Sequence, residues 1–179
     1  MSEHSRVGDW RKVCQLIGDI QIGLLTTIDR GGNFHTRPVQ TLEVEPAGRL
    51  WFFTDWHSPK VAELEHDVRV SLGYAAPANN TYVAISGTAR VLQDRRKARQ
   101  IWSLEQRAYY PEGPEDPRLA LLRVEIERAE YWIAPGRVSY FVAAAKAAIT
   151  GEPVGIIGEN HKVPGLASGE DGSGVKAPE

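Results

Sequence analysis

The chain of 179 residues is the size of one domain with a tail, large enough to bury about 70% of its unfolded surface, so it needs no metal or disulfide staple. Its 21 basic and 23 acidic side chains give a net charge of −2, which excludes a general attraction to nucleic acid and leaves room for a local basic pocket. Cys14 is the single cysteine, which excludes an intramolecular disulfide, and no run approaches the roughly 18 apolar residues of a membrane span.

The opening residues 1–10 carry no apolar leader, so a cytoplasmic protein without membrane attachment is expected. Trp10, Val13, Cys14 and Ile17 recur at helical spacing, with Asp9 as the expected N-cap and Gly18 as the closing glycine. On that face Cys14 reads as a small core residue rather than a nucleophile. Alternation from Ile20 to Ile28 then marks a strand, and Asp29-Arg30-Gly31-Gly32 marks a turn into a second strand over 33–44. Pro38 interrupts that second strand and places it at an edge or a bulge. A turn at Glu45-Pro46-Ala47-Gly48 leads to a third strand at Leu50–Thr54, followed by a short helix over 58–66. Strands follow at 68–75 and 81–92, then a helix capped by Asp94 and running to Tyr109. A last strand at 119–127, an Ala-rich helix over 138–149 and a disordered tail from Val163 complete the reading. The domain is therefore expected to cover residues 1–162. Six strands joined mostly by tight turns point to an antiparallel sheet with flanking helices, closed as a small barrel.

Two stretches carry chemistry. At Thr54 to Lys60, Ser58 sits at an N-cap, Pro59 at the first helical position, and Lys60 in the first turn. A lysine there opposes the positive end of the helix dipole. A bound anion resolves the conflict, because a hydroxyl, an ammonium and free N–H groups then meet on one phosphate; the alternative is a capped helix with a solvated lysine. In the second stretch, His35 to Thr41, Arg37 suits bidentate phosphate binding. Pro38 leaves neighbouring backbone groups free for a planar heterocycle, and the alternative is an edge strand with an exposed arginine. Taken together, the two stretches form one phosphate pocket. The basic cluster Arg95-Arg96-Lys97-Ala98-Arg99 reads as a solvated helix face rather than a nucleic-acid site. The histidines at 4, 35, 57, 66 and 161 lack metal-ligand spacing. Ser86-Gly87 reads as a bulge or close backbone approach.

The order G-L-L-T-T at 23–27, H-T-R-P at 35–38, L-W-F-F-T at 50–54, S-P-K at 58–60 and Y-V-A-I-S-G-T-A at 82–89 resembles the general stress protein branch of the pyridoxamine 5′-phosphate oxidase-like flavoproteins. Tyr131-Trp132 and the stretch Ala145–Ala148 fit it as well, so the resemblance runs over residues 8–162. It implies a six-stranded antiparallel split β-barrel and a homodimer with FMN at the subunit interface. By the same resemblance Arg37, Thr54, Ser58 and Lys60 hold the FMN phosphate. The backbone around Thr36, Pro38, Val39 and Gln40 meets the isoalloxazine ring, and Phe53 lies beside the ribityl chain. Tyr82 stands where the oxidases carry a flavin-contacting glutamine. Trp102 and Trp132 are candidates for ring contact, from this or the partner subunit, with core or interface roles as the alternative. The oxidases' C-terminal Arg-Leu-His-like segment is replaced here by a Gly/Ser/acidic stretch, so vitamin B6 oxidase activity is not expected.

The functional expectation is an FMN-binding general stress protein, either reducing a small electrophile or serving as a non-catalytic flavin or redox-sensing module. A haem or deazaflavin binder on the same barrel is the third reading. FAD is disfavoured because no dinucleotide fingerprint is present.

Overall fold

The computed structural model describes residues 3–134 and 159–164. In chain order the elements are α1 (Glu3–Ile20), β1 (Ile22–Ile28), β2 (Phe34–Gln40), β3 (Glu43–Glu45), β4 (Arg49–Asp55) and α2 (Pro59–His66). They continue with β5 (Arg69–Ala76), β6 (Thr81–Leu92), α3 (Arg95–Gln100), β7 (Leu119–Ile133) and β8 (Glu159–Pro164). The strands form one antiparallel sheet in the order β2-β1-β5-β6-β7-β4-β3, with β8 also paired to β7.

β7 is the spine. It pairs with β6 along its length, with β4 from Leu119 to Glu125, and with β8 from Arg128 to Ile133. The inward faces of β1, β4, β5, β6 and β7 share one core with α1, through Val13, Ile17, Leu25, Phe52, Leu72, Val83 and Val124. The sheet curls around that core until β2, at one end of the strand order, touches β4 without a ladder between them. This open seam is the split in the barrel.

Local chemistry explains the curvature. At Ser86/Gly87 the β6–β7 register shifts, and a Cβ on Gly87 would lie 2.0 Å from the Glu125 carbonyl oxygen, so only glycine permits the close approach. The sequence expectation of a bulge or close approach there holds in both senses. Gly48 takes φ +85° to close the β3–β4 turn, which Trp10 of α1 fastens by donating Nε1–H to the Pro46 carbonyl at 2.9 Å. β2 is an edge strand, as Pro38 demands.

Several expectations need correction. The described residues hold eight strands rather than six, because residues 43–45 separate from β2 as β3 and residues 159–164 add β8. α1 passes through both Asp9 and Gly18 and stops at Ile20, where Gln21 adopts the left-handed conformation at φ 62°. The helix expected from Asp94 to Tyr109 ends at Gln100, because Ser103 is extended and a separate 3-10 turn follows at Leu104–Ala108. β7 runs six residues past Glu127 and takes in Tyr131 and Trp132. β8 reaches two residues into the expected tail, and Val163 is buried in the core. The Ala-rich segment 138–149 and residues 165–179 lie outside the described residues.

The basic cluster is less solvated than expected. Arg95 donates to the carbonyls of Pro114 and Asp116, and Arg99 pairs with Glu115. Lys97 lies between two glutamates. Cys14 is half-buried, and burial raises its thiol pKa, which agrees with a packing role.

Candidate functional site

The seam between β2 and β4 opens into a cleft of about 470 Å³, within the range of small-ligand sites. β2 supplies Arg37, Pro38, Val39 and Gln40; β4 supplies Phe53, Thr54 and Asp55; and Lys60 enters from the first turn of α2. β3 pairs with β4 only as far as Trp51, so on that side Phe53–Asp55 have no ladder partner. The curvature that leaves the barrel split thus also leaves polar backbone free at the cleft.

Ser58 takes the N-cap backbone conformation of α2, yet its hydroxyl does not cap the helix. It turns to Lys60 and Thr54 instead. The Lys60 ammonium donates to Thr54 Oγ1 at 3.0 Å and to Ser58 Oγ at 3.1 Å, and the two hydroxyls lie 3.2 Å apart. Lys60 makes no ion pair among the described residues. Its third N–H therefore remains for a ligand, together with an O–H of the hydroxyl pair. Burial lowers the Lys60 pKa, and the neighbouring Arg37 charge lowers it further against the opposing pull of Asp55 and Glu63. Both causes are relieved by a bound anion.

Arg37 is held from behind. Its guanidinium donates to Glu63 Oε2 at 2.8 Å and to the Thr27 hydroxyl, which in turn bonds Glu63. Thr27 and Glu63 are both buried. A guanidinium has five N–H groups, so these anchors fix its plane and leave donors for the cleft. Asp55 is held by the His57 amide, which donates to Oδ1 at 2.8 Å, and its Oδ2 lies 4.0 Å from Arg118 Nη1.

The structure brings most of the sequence-predicted residues together. Arg37, Pro38, Val39, Gln40, Phe53, Thr54 and Lys60 line the cleft, and Ser58 joins through its hydrogen bonds. Trp102 packs on Phe53, with ring centroids 5.6 Å apart, and so supports one wall. Three residues stand apart. The Thr36 hydroxyl points to Thr26 at 2.8 Å, while Tyr82 and Trp132 face each other across β6 and β7 outside the cleft. His35 bonds Asp29 at 2.9 Å in the β1–β2 turn, and no metal-binding cluster occurs among the described residues.

Sequence reasoning missed Glu63, Gln106, Tyr109 and Tyr110. Glu63 was findable, because a carboxylate among Val61 and Leu64 on one short helix must be paired if buried. The other three sit in and just after the 3-10 turn read as helix, with no local pattern to mark them. Gln106 is buried and donates from Nε2 to Gln40 Oε1 at 3.3 Å.

Residues 8–154 match the family described as pyridoxamine 5′-phosphate oxidase like. Over 144 residues the chain is 28% identical to protein bli-3 of Neurospora crassa, covering 74% of this chain and 69% of that protein. A general stress FMN/FAD binding protein from Xanthomonas citri superposes with a TM-score of 0.61 at 25% identity, over 74% of this chain and 90% of that one. A Clostridium acetobutylicum protein related to general stress protein 26 of Bacillus subtilis gives a TM-score of 0.63 at 20% identity, over 71% and 89%. The fold is the split barrel of these structures, and the chain belongs to the pyridoxamine 5′-phosphate oxidase-like family.

Proposed function

We propose that the protein is an FMN-binding general stress protein that works as a cytoplasmic homodimer. The observation that carries this reading is the Lys60 ammonium, held only by two hydroxyls beside a pre-oriented arginine at the mouth of a seam. The residues fit the group. Lys60, Ser58, Thr54 and Arg37 offer N–H and O–H donors to a phosphate, and Phe53, Pro38 and Val39 give apolar wall for the rest of a mononucleotide. The X. citri protein, named for FMN/FAD binding, supports a flavin. FMN is preferred to FAD because the chain has no dinucleotide fingerprint.

The outward face of the sheet supports the dimer. Ile22 and Leu24 of β1 are 53% and 54% exposed, and Tyr82 of β6 is 41% exposed. Between them runs the cross-strand row Pro38–Leu24–Gly73–Ala84, small and apolar enough for a second sheet to approach. Ile22, Pro38 and Gln40 belong both to this side of the sheet and to the cleft wall, so a second copy seated here would complete the cleft. Tyr82 and Trp132 would then serve the partner's flavin.

Bound FMN supplies hydride or single-electron transfer, and the chain's part is to bind, orient and exclude water. The most economical reaction is reduction of a small electrophile. A non-catalytic flavin module is the second reading, favoured because two of the cleft's acidic groups, Tyr110 and Asp55, are poor proton donors. Burial, and then the Asp55 charge, push the Tyr110 phenol to about 12, and Asp55 is engaged by the His57 amide. Purified protein titrated with FMN should quench flavin fluorescence with one site per chain, and light scattering should give a dimer. Bleaching of the flavin by NADH or NADPH, restored by an acceptor, selects the enzyme; no bleaching with any donor selects the module. Absence of FMN binding overturns both.

A further inference from the structure

The two glutamines of the cleft remain unused by the phosphate cradle. Gln106 is 4% exposed, and its main chain is fixed: its N–H donates to Ser103, and its carbonyl accepts from Tyr109 and Tyr110. Its side-chain Nε2 donates to Oε1 of Gln40 at 3.3 Å, and neither amide makes another hydrogen bond among the described residues. In this pairing Gln40 keeps its NH2 donors and one carbonyl lone pair, and Gln106 keeps its whole carbonyl and one N–H. Both side chains line the cleft beside Leu42 and Tyr109, and Gln106 is the buried member, where a hydrogen bond competes less with water.

We infer that Gln40 and Gln106 form one recognition subsite for a cyclic imide edge, a ring C=O beside a ring N–H, on the ligand's heterocycle. The inference rests on the flavin reading and deepens it: the edge is the pyrimidine C=O and N3–H of the isoalloxazine. Gln40 donates to the carbonyl and Gln106 accepts from N3–H. A site built this way rejects an isostere lacking the N–H, because the buried Gln106 carbonyl is then left unpaired. Sequence reading gave Gln40 only a backbone role, and the pairing of its side chain with Gln106 makes both glutamines specificity-determining residues.

The test compares the dissociation constants of FMN and of FMN methylated at N3, by fluorescence and calorimetry, in the full chain and in Gln106→Met and Gln40→Met. Methionine keeps the length and volume of glutamine, so steric exclusion of the methyl group is retained while the amide is lost. The native protein is expected to prefer FMN by about tenfold or more, and Gln106→Met to reduce that preference at least threefold with an unchanged circular dichroism spectrum. Gln40→Met, on the half-buried member, is expected to reduce it too and stands in if Gln106→Met does not fold. Equal affinity of the native protein for both ligands, or an undiminished preference in a folded variant, overturns the subsite and leaves the flavin reading intact. No FMN binding by the native protein overturns both.

Discussion

Two lysines of this protein sit in opposite electrostatic company. Lys97, on α3, lies 2.8 Å from Glu43 and 2.8 Å from Glu45, with its ammonium 4.7 Å from the centre of the Trp51 ring. Burial there works against the charge, but the two carboxylates outweigh it and the pKa is raised. Lys60 has only hydroxyls at contact, and its pKa is lowered. The first ammonium is fully answered by the chain, and the second is answered only in part. A cation that has no carboxylate partner among the described residues, beside a second cation in a cleft, is a candidate for holding an anionic ligand.

The sharpest way to break this contrast is Arg37→Ala. It should weaken FMN binding by about 1.5–3 kcal/mol and also destabilise the fold by about 3 kcal/mol, because Glu63 is left buried without its cation. Chemical denaturation beside fluorescence titration separates the two losses. Lys60→Ala should cost about 1.5–3 kcal/mol of FMN affinity while leaving stability within about 0.5 kcal/mol. Lys97→Ala should do the reverse, lowering stability by about 1.5–3 kcal/mol with FMN affinity unchanged. Equal affinity losses from both lysine variants would erase the distinction between them.

A pH series sharpens the same contrast. FMN affinity should fall below about pH 6, where the phosphate gains its second proton. It should fall again on the alkaline side, beginning below the ordinary lysine range because the Lys60 pKa is depressed. The sign for Lys97 is opposite. Its folded pKa is raised, so its contribution to stability is complete below the unfolded value of about 10.4 and disappears only as pH passes the folded one. A window should exist in which flavin is released while the Lys97 network holds. The smallest effect belongs to Arg96→Ala, exposed on α3, with changes under about 0.5 kcal/mol in stability and none in affinity.

Much of this architecture is legible in the sequence. Alternation from Ile20 to Ile28 and the strand expected at Thr81–Leu92, with Pro38 breaking its own strand, locate the hairpin, the central strand and the edge. The grouping of Thr54, Ser58 and Lys60 is also legible, because a strand end and a helix start impose it locally; Arg37 joins it only through the curl that brings β2 to β4. What escaped depends on distant partners. β7 continues through exposed Glu127 and Arg128, which disrupt its alternation, because the register shift opposite Ser86/Gly87 takes up Glu127 and the β6 ladder resumes at Arg128. β8 has no strand pattern of its own; it forms where β4 stops at Glu125 and leaves the far half of β7 unpaired. Gln106 carries no periodic signal, since its place is fixed by a 3-10 turn and by a partner 66 residues away.

The open seam has a second consequence, for solubility. A strand without a neighbour invites a foreign strand to bind, and β2 is such a strand along its whole outer border. Proline at 38 has no N–H to offer an intruder, and the charge of Arg37 would have to be carried into any stacked assembly. The residues that shape the proposed flavin's berth would therefore also oppose fibril growth at this border of the described sheet.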